Sequence, residues 1–477
     1  MKRSLLLLLL SCCYTFARAQ APAVFTSSDT AMQRAYEWAG RMVQHYQGNP
    51  TDPVGPWYEA ALPSRAAFCM RDVAHQTIGA AIYGLNKENR NMISAFARHI
   101  SAGKDWCSYW EINKYGLPAP EDYRNDTAFW YNLNANFDLL SACWKLYGWT
   151  GDSWYISDPA MINFFEKTVN EYIHQWVLQP DSLLTRPMHP NAPSPFHPQD
   201  NFHTCRGLPS YVENIPDLKV GIDLPATIYR GLLSYSSILK LKGNKEKATL
   251  FKQTAEQYRQ QIDAVWWNEQ AARYYTWYNN AGKFGIGEGE VFLLWFDALK
   301  DTARSRKTIA HLIATSWNVE TTSYLPVILF KHGYWNKARE YLLQLTDTNT
   351  PRREYPEVSF AVLEGIVRGL MGIEPDAAAK RITTLYRGKK GSSAALKDLH
   401  VLNTMIAISQ TGEQTDLHNK GNSDFLWRAA FAGDYRIITV NNTVMPARKE
   451  VDNNGNMISY VEVMVEGSGV FRARAGK

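Results

Sequence analysis

The chain lacks the signatures of several chemistries. No HExxH, no CxxC and no glycine-rich loop ending in GK[ST] occurs, so zinc-protease, zinc-knuckle and phosphate-loop readings are set aside. No metal and no cofactor is expected. A net charge of +5 spread over 477 residues, without a dense Lys/Arg stripe, excludes a nucleic-acid footprint. Beyond the first residues no apolar run approaches the ~20 residues of a membrane span. Cysteine is scarce: of six, Cys12 and Cys13 lie in the leader, and Cys69, Cys107, Cys143 and Cys205 are read as mostly buried free thiols.

The first residues do carry a pattern. Lys2 and Arg3 precede Leu5 to Leu10, and Ala17-Arg18-Ala19 suits a signal peptidase. Residues 1–19 therefore read as an export signal, and the protein as periplasmic or secreted. Leu10-Ser11-Cys12 offers a lipoprotein tether as the alternative. Aromatics are abundant at 13%. They serve either a packed helical core or stacking platforms for sugar rings.

Periodicity divides the remainder. Twelve helices are expected, at 29–46, 72–84, 89–101, 126–148, 158–178, 224–241, 244–268, 287–299, 302–315, 319–332, 334–347 and 356–371. Some are one-sided: 244–268 puts Phe251, Ala255, Tyr258, Ile262 and Val265 on one face. Others are apolar all round, such as Val291 to Phe296 and Tyr324 to Phe330. A helix apolar all round is enclosed on every side. The alternation predicts an inner ring within an outer ring, a mainly α (α/α)6 toroid over residues 20–374. The β-branched segments and Asn turns beyond predict a small antiparallel β-sandwich over 375–477.

Acids recur where the even-numbered helices are expected to start: Asp72, Asp126, Asp223, Glu288 with Glu290, Glu320, and Glu357. Acids also cap helices, the favoured reading for Asp223 and Glu320. In a ring, however, these starts share one mouth, and glycoside hydrolysis needs two carboxyls across a cleft. Asp126, Glu288 and Glu357 are the catalytic candidates, with Asp126 or Glu288 as acid and Glu357 as base. Three aromatic- and charge-rich stretches add substrate-binding candidates: Glu59, Arg65, Arg71, Asp72 and His75, then Trp110, Arg124 and Trp130, then Glu290. His75 reads equally well as a core histidine. His189, His197 and His203 match no metal spacing.

The Arg71-Asp72 pair, the stretch 122–131 and the run Tyr355 to Pro375 resemble the six-hairpin glycosidase superfamily. The tail Leu417 to Gly421 with Phe425-Leu426-Trp427 resembles the β-sandwich attached to some of its members. The resemblance implies that Arg71 and Asp72 hold a terminal sugar and that rim carboxylates act as acid and base. The most similar set is the exo-acting β-glucuronidases of glycoside hydrolase family 154. That set implies a uronic acid, for which Arg65, Arg71, Arg124, Arg206, Arg352 and Arg353 would supply guanidinium forks. The expected activity is exo-hydrolysis of an oligo- or polysaccharide. A polysaccharide lyase using Tyr123, Arg124, Asn125 or His203, and a non-catalytic glycan-binding protein, are the alternatives.

Overall fold

The computed structural model describes residues 22–63, 65–188, 205–213, 215, 217–452 and 455–476. The leader, His189, His197, His203 and the Asn453-Asn454 turn lie outside the described residues. The helices are α1 Thr30–Tyr46, α2 Met70–Tyr83, α3 Asn86–Arg98, α4 Ala135–Thr150, α5 Trp154–Ser157, α6 Pro159–Lys167 and α7 Ile173–Gln175. They continue with α8 Asp223–Leu241, α9 Lys245–Val265, α10 Glu290–Trp295, α11 Thr302–Ala314, α12 Val319–Lys331, α13 Trp335–Thr346 and α14 Pro356–Glu364. Among the described residues no helix is long and apolar enough to cross a membrane.

Six helices touch in a closed cycle: α2, α4, α8, α10, α12, α14 and back to α2. Five are backed by the next helix in the chain, as α9 backs α8 and α13 backs α12, and α14 is backed by α1. The backing helices are one-sided. On α9, Ala248, Ala255, Tyr258 and Ile262 are buried, while Val265 from the expected face is 38% exposed, because the helix ends there. The ring helices are buried almost all round, α8 over fourteen of its nineteen residues. Contact between them is close: a Cβ on Gly79 of α2 would stand 2.4 Å from the backbone oxygen of Phe360 on α14.

Two expected starts of ring helices move most. Helix α4 begins at Ala135, not 126, because the intervening chain is extended: Tyr123–Asn125 pairs with Ala128–Phe129, and Tyr131–Asn132 pairs with Arg206–Leu208. Asn125 Oδ1 accepts from the Thr127 amide (2.9 Å) and hydroxyl (2.8 Å), closing an Asx turn around Asp126 in place of a helix cap. Helix α10 starts at Glu290 after Gly289, whose φ of 122° excludes ordinary side chains. It ends after six residues.

From Ile373 on, the described chain supplies six strands of a seven-stranded sheet and all of a five-stranded one. Alternation is clear in Thr404–Thr411, where every second residue is buried. One pair departs from the antiparallel expectation: Arg381–Leu385 runs parallel to Phe425–Ala432. The chain crosses through the other sheet between them, so it re-enters in the same direction. The seventh strand of that other sheet is Val24–Ser27, antiparallel to Ser393–Val401. The turn Leu402-Asn403 donates its amides to Trp149 and Thr150 at the end of α4 (2.9 and 2.8 Å). The sheets thus hold the end of the ring opposite its helix starts. Cys69, Cys107, Cys143 and Cys205 are buried free thiols.

Candidate functional site

A cavity of about 310 Å³ opens among the first turns of four ring helices. Its lining follows helical spacing: Arg71, Asp72, His75 and Gln76 from α2; Glu320, Thr321, Tyr324 and Val327 from α12; Glu357, Ala361 and Glu364 from α14. Glu288, Phe292 and Trp295 continue the pattern into and along α10. Tyr211, Val212 and Glu213, from the long connection before α8, complete the wall.

Glu357 sits at the mouth. Cavity solvent still reaches it, but protein atoms crowd it, and burial pushes its carboxyl up to about 8, with the negative charge of Asp72 adding to the effect and that of Glu320 following. Glu288 is exposed at the same mouth and is also raised, by partial burial first and by Glu320 second. Glu320 therefore bears on both. Its Oε1 accepts from Arg352 Nη1 at 3.2 Å. It does not cap its helix, because Asn318 Oδ1 accepts from the Thr321 amide at 2.8 Å.

Arg71 and Asp72 meet through Nε–Oδ1 at 3.1 Å, and the guanidinium lies between the rings of Trp110 (5.8 Å) and Tyr211 (5.7 Å). His75 is held from both sides, Nδ1 to the Tyr324 hydroxyl at 2.7 Å and Nε2 to Asp138 Oδ1 at 3.1 Å. The Tyr211 hydroxyl donates to Asp138 Oδ2 at 2.5 Å. Buried Asp223 accepts from the Tyr211 amide at 2.7 Å, from Ser210 Oγ at 2.8 Å and from Asn134 Nδ2 at 3.1 Å. Asp223 is thus a brace that ties the loop to the ring, and burial raises it to about 6.

Of the candidates read from sequence, Arg71, Asp72, His75, Glu288 and Glu357 come together in the cavity, and Trp110 lies behind Arg71. The others stand elsewhere. Asp126 is half-exposed in its turn, accepting from the Tyr123 hydroxyl at 2.6 Å, so the aromatics that were expected to enclose it leave it open to water. Glu290 points the other way from Glu288, into Arg273 at 2.8 Å and the Tyr274 amide at 3.1 Å. Arg65 is spent on Glu111 at 2.7 Å and Asp122 at 3.2 Å. Glu59 is half-buried beside Tyr46, Arg124 is exposed on its strand, and Trp130 is buried under the loop. Sequence reasoning passed over Gln76, Tyr211, Glu213 and Trp295. Gln76 had a signal: with Arg71, Asp72 and His75 it makes a polar stripe at helical spacing on an apolar helix.

The Trehalase family model matches residues 213–326, the segment from the cavity loop through most of α12. No curated protein matches the chain. Among solved structures, an α-L-rhamnosidase from Dictyoglumus thermophilum is similar at a TM-score of 0.60 and 13% identity, covering 96% of this chain and 51% of its own. One from Streptomyces avermitilis has a TM-score of 0.58 and 14% identity, covering 96% and 42%. A sialidase has a TM-score of 0.53 and 10% identity, covering 81% and 38%. The chain spans about half the length, or less, of these enzymes. The fold is glycosidase-like, and the matching enzymes differ in the sugar they are named for.

Proposed function

We propose that the chain is a glycoside hydrolase, built on an (α/α)6 toroid, that removes one terminal sugar from an oligo- or polysaccharide. One observation carries this reading: two carboxyls share the mouth of a small cavity, one crowded and held protonated to about 8, the other open to solvent. Unequal environments of this kind separate an acid from a base. Glu357 donates its proton to the glycosidic oxygen as the C1–O bond breaks. Glu288 takes a proton from the water whose oxygen bonds to C1. These roles reverse the sequence reading of Glu357 as base, because crowding favours the neutral form.

The cavity lies near the small end of ligand sites, about 300–1,000 Å³. That supports exo-action on one sugar. An adjoining cleft of about 840 Å³ shares Asn318 and Arg352 with the cavity and is lined by Trp317, Gln344 and Asn349. It offers room for the leaving part of a longer substrate. Charge disfavours the uronic acid: the cavity is lined by six carboxyl groups, of which Glu357 holds its proton, against Arg71 and Arg352. A neutral sugar suits it better. Export through residues 1–19 belongs to the same proposal, and a mature chain beginning at Gln20 by mass spectrometry would support it.

The test is a panel of p-nitrophenyl glycosides, trehalose and plant or algal glycans, run with wild type, Glu357→Gln and Glu288→Gln. Release of one monosaccharide by wild type alone, without a rise near 235 nm, is the expected result. A rise in absorbance would instead mark a lyase. Turnover surviving both substitutions would end the proposal.

A further inference from the structure

One turn below the mouth, Gln76 has no partner among the described residues. It is 3% exposed, it lines the cavity, and neither Oε1 nor Nε2 finds a hydrogen bond there. A buried amide without partners is costly, and leucine would serve this apolar helix better. The indole Nε1 of Trp295, further along α10, is also buried without a hydrogen-bond partner among the described residues, and that side chain lines the same cavity. Two unpartnered polar side chains from opposite parts of the ring therefore meet one small volume.

Their depth bears on what fills it. Gln76 follows Asp72 by four residues, about 6 Å along the helix axis. That length is comparable to one pyranose ring. A sugar with C1 at the carboxyls thus places its far end at Gln76. A primary amide presents an acceptor and a donor side by side, and neighbouring hydroxyls can satisfy both. Indole donates only.

We propose that Gln76 and Trp295 determine specificity by reading adjacent free hydroxyls, O3 and O4, at the non-reducing end of the terminal sugar. The inference rests on the hydrolase reading. It restricts the substrate class to pyranosides with an unsubstituted O3/O4 diol. It excludes 4-O-substituted units and the 4,5-unsaturated uronates that lyases leave.

The test compares p-nitrophenyl α-D-glucoside, β-D-glucoside and α-L-rhamnoside with their 4-deoxy analogues, in wild type, Gln76→Leu and Trp295→Phe. For the parent that is cleaved, wild type should lose about 100-fold in kcat/KM on removal of O4. In Gln76→Leu the parent should fall about as far, and the 4-deoxy penalty should shrink below about threefold, since the partner is gone. Should Gln76→Leu fail to fold by circular dichroism, Trp295→Phe carries the same comparison with the 3-deoxy and 4-deoxy analogues. An undiminished penalty in a folded variant, or no penalty in wild type, overturns this inference while leaving the hydrolase standing. Wild type that neither cleaves nor binds any of these parents or any glycan of the wider panel overturns both.

Discussion

Replacing Glu357 by glutamine tests the acid role without any substrate. An ordinary glutamate titrates near 4.5, and burial, Asp72 and Glu320 push Glu357 up to about 8. At ~1.4 kcal/mol per decade, ionising it in the folded protein costs up to about 5 kcal/mol. Cavity water reaches the carboxyl and screens its charge, which reduces this cost to about 2 kcal/mol. The folded state holds the proton more tightly than the unfolded chain. The resulting stability is full below pH 4.5 and is lost as pH rises towards about 8. Glutamine cannot ionise, so the variant is spared that loss. A chain of this length unfolds with an entropy of roughly 1 kcal/mol/K, so 2 kcal/mol moves the midpoint by about 2 °C. Thermal unfolding of both proteins from pH 4.5 to 9 should show the variant gaining on wild type by that amount at the alkaline end. Curves that stay parallel would refute the crowded, protonated Glu357. In the same variant kcat should fall by about 10²–10⁴-fold while sugar binding persists.

Wild-type activity should follow a bell in pH, its alkaline limb falling near pH 8 as Glu357 ionises and its acid limb lying above pH 4.5, where raised Glu288 gains its proton. Glu288→Gln should lower kcat by about 10²-fold or more and leave the alkaline limb of any residual activity in place. Asp126→Asn, by contrast, should leave kcat/KM within about twofold, since the side chain faces water on a hairpin; a hundredfold loss would return Asp126 to the site. Gly79→Ala places a methyl 2.4 Å from a backbone oxygen of α14 and should destabilise by about 3 kcal/mol, read as a lowered unfolding midpoint.

Much of the ring was legible because burial imposes its own period. Helix α1 keeps Met32, Ala35, Tyr36, Ala39, Val43 and Tyr46 inside, and α9 has Ala255, Tyr258 and Ile262 where the pattern put them. What escaped was local chemistry that competes with a helix. The run from Tyr123 to Asn132 is aromatic and polar in turn; it closes a short hairpin on itself and then pairs with the distant Arg206–Leu208, a partner no local pattern contains. That displaced the start of α4 and with it Asp126. Glu288 and Glu290 show the same limit at finer scale. Two residues apart across Gly289, they face opposite ways, one into the cavity and one into Arg273. No composition rule separates them, because the backbone between them turns at Gly289, whose φ is 122°.

The parts of the site differ in how they are held, and this bears on which of them set chemistry and which set selectivity. His75 is fixed by Tyr324 and Asp138, Asp138 by Tyr211, and Tyr211 by Asp223, so a chain of buried hydrogen bonds runs from the cavity through the loop to α8. Groups so engaged have little left to offer a ligand and act by keeping walls in place. Glu288 and Gln76 have no such engagement. One stands in solvent at the mouth, and the other is buried below it without a hydrogen-bond partner among the described residues. A protein tolerates an unpaired buried amide only where something else repays it, and here that repayment can come from what enters the cavity. The rigid members of the site are therefore its frame, and the unsatisfied ones are where a substrate makes its difference.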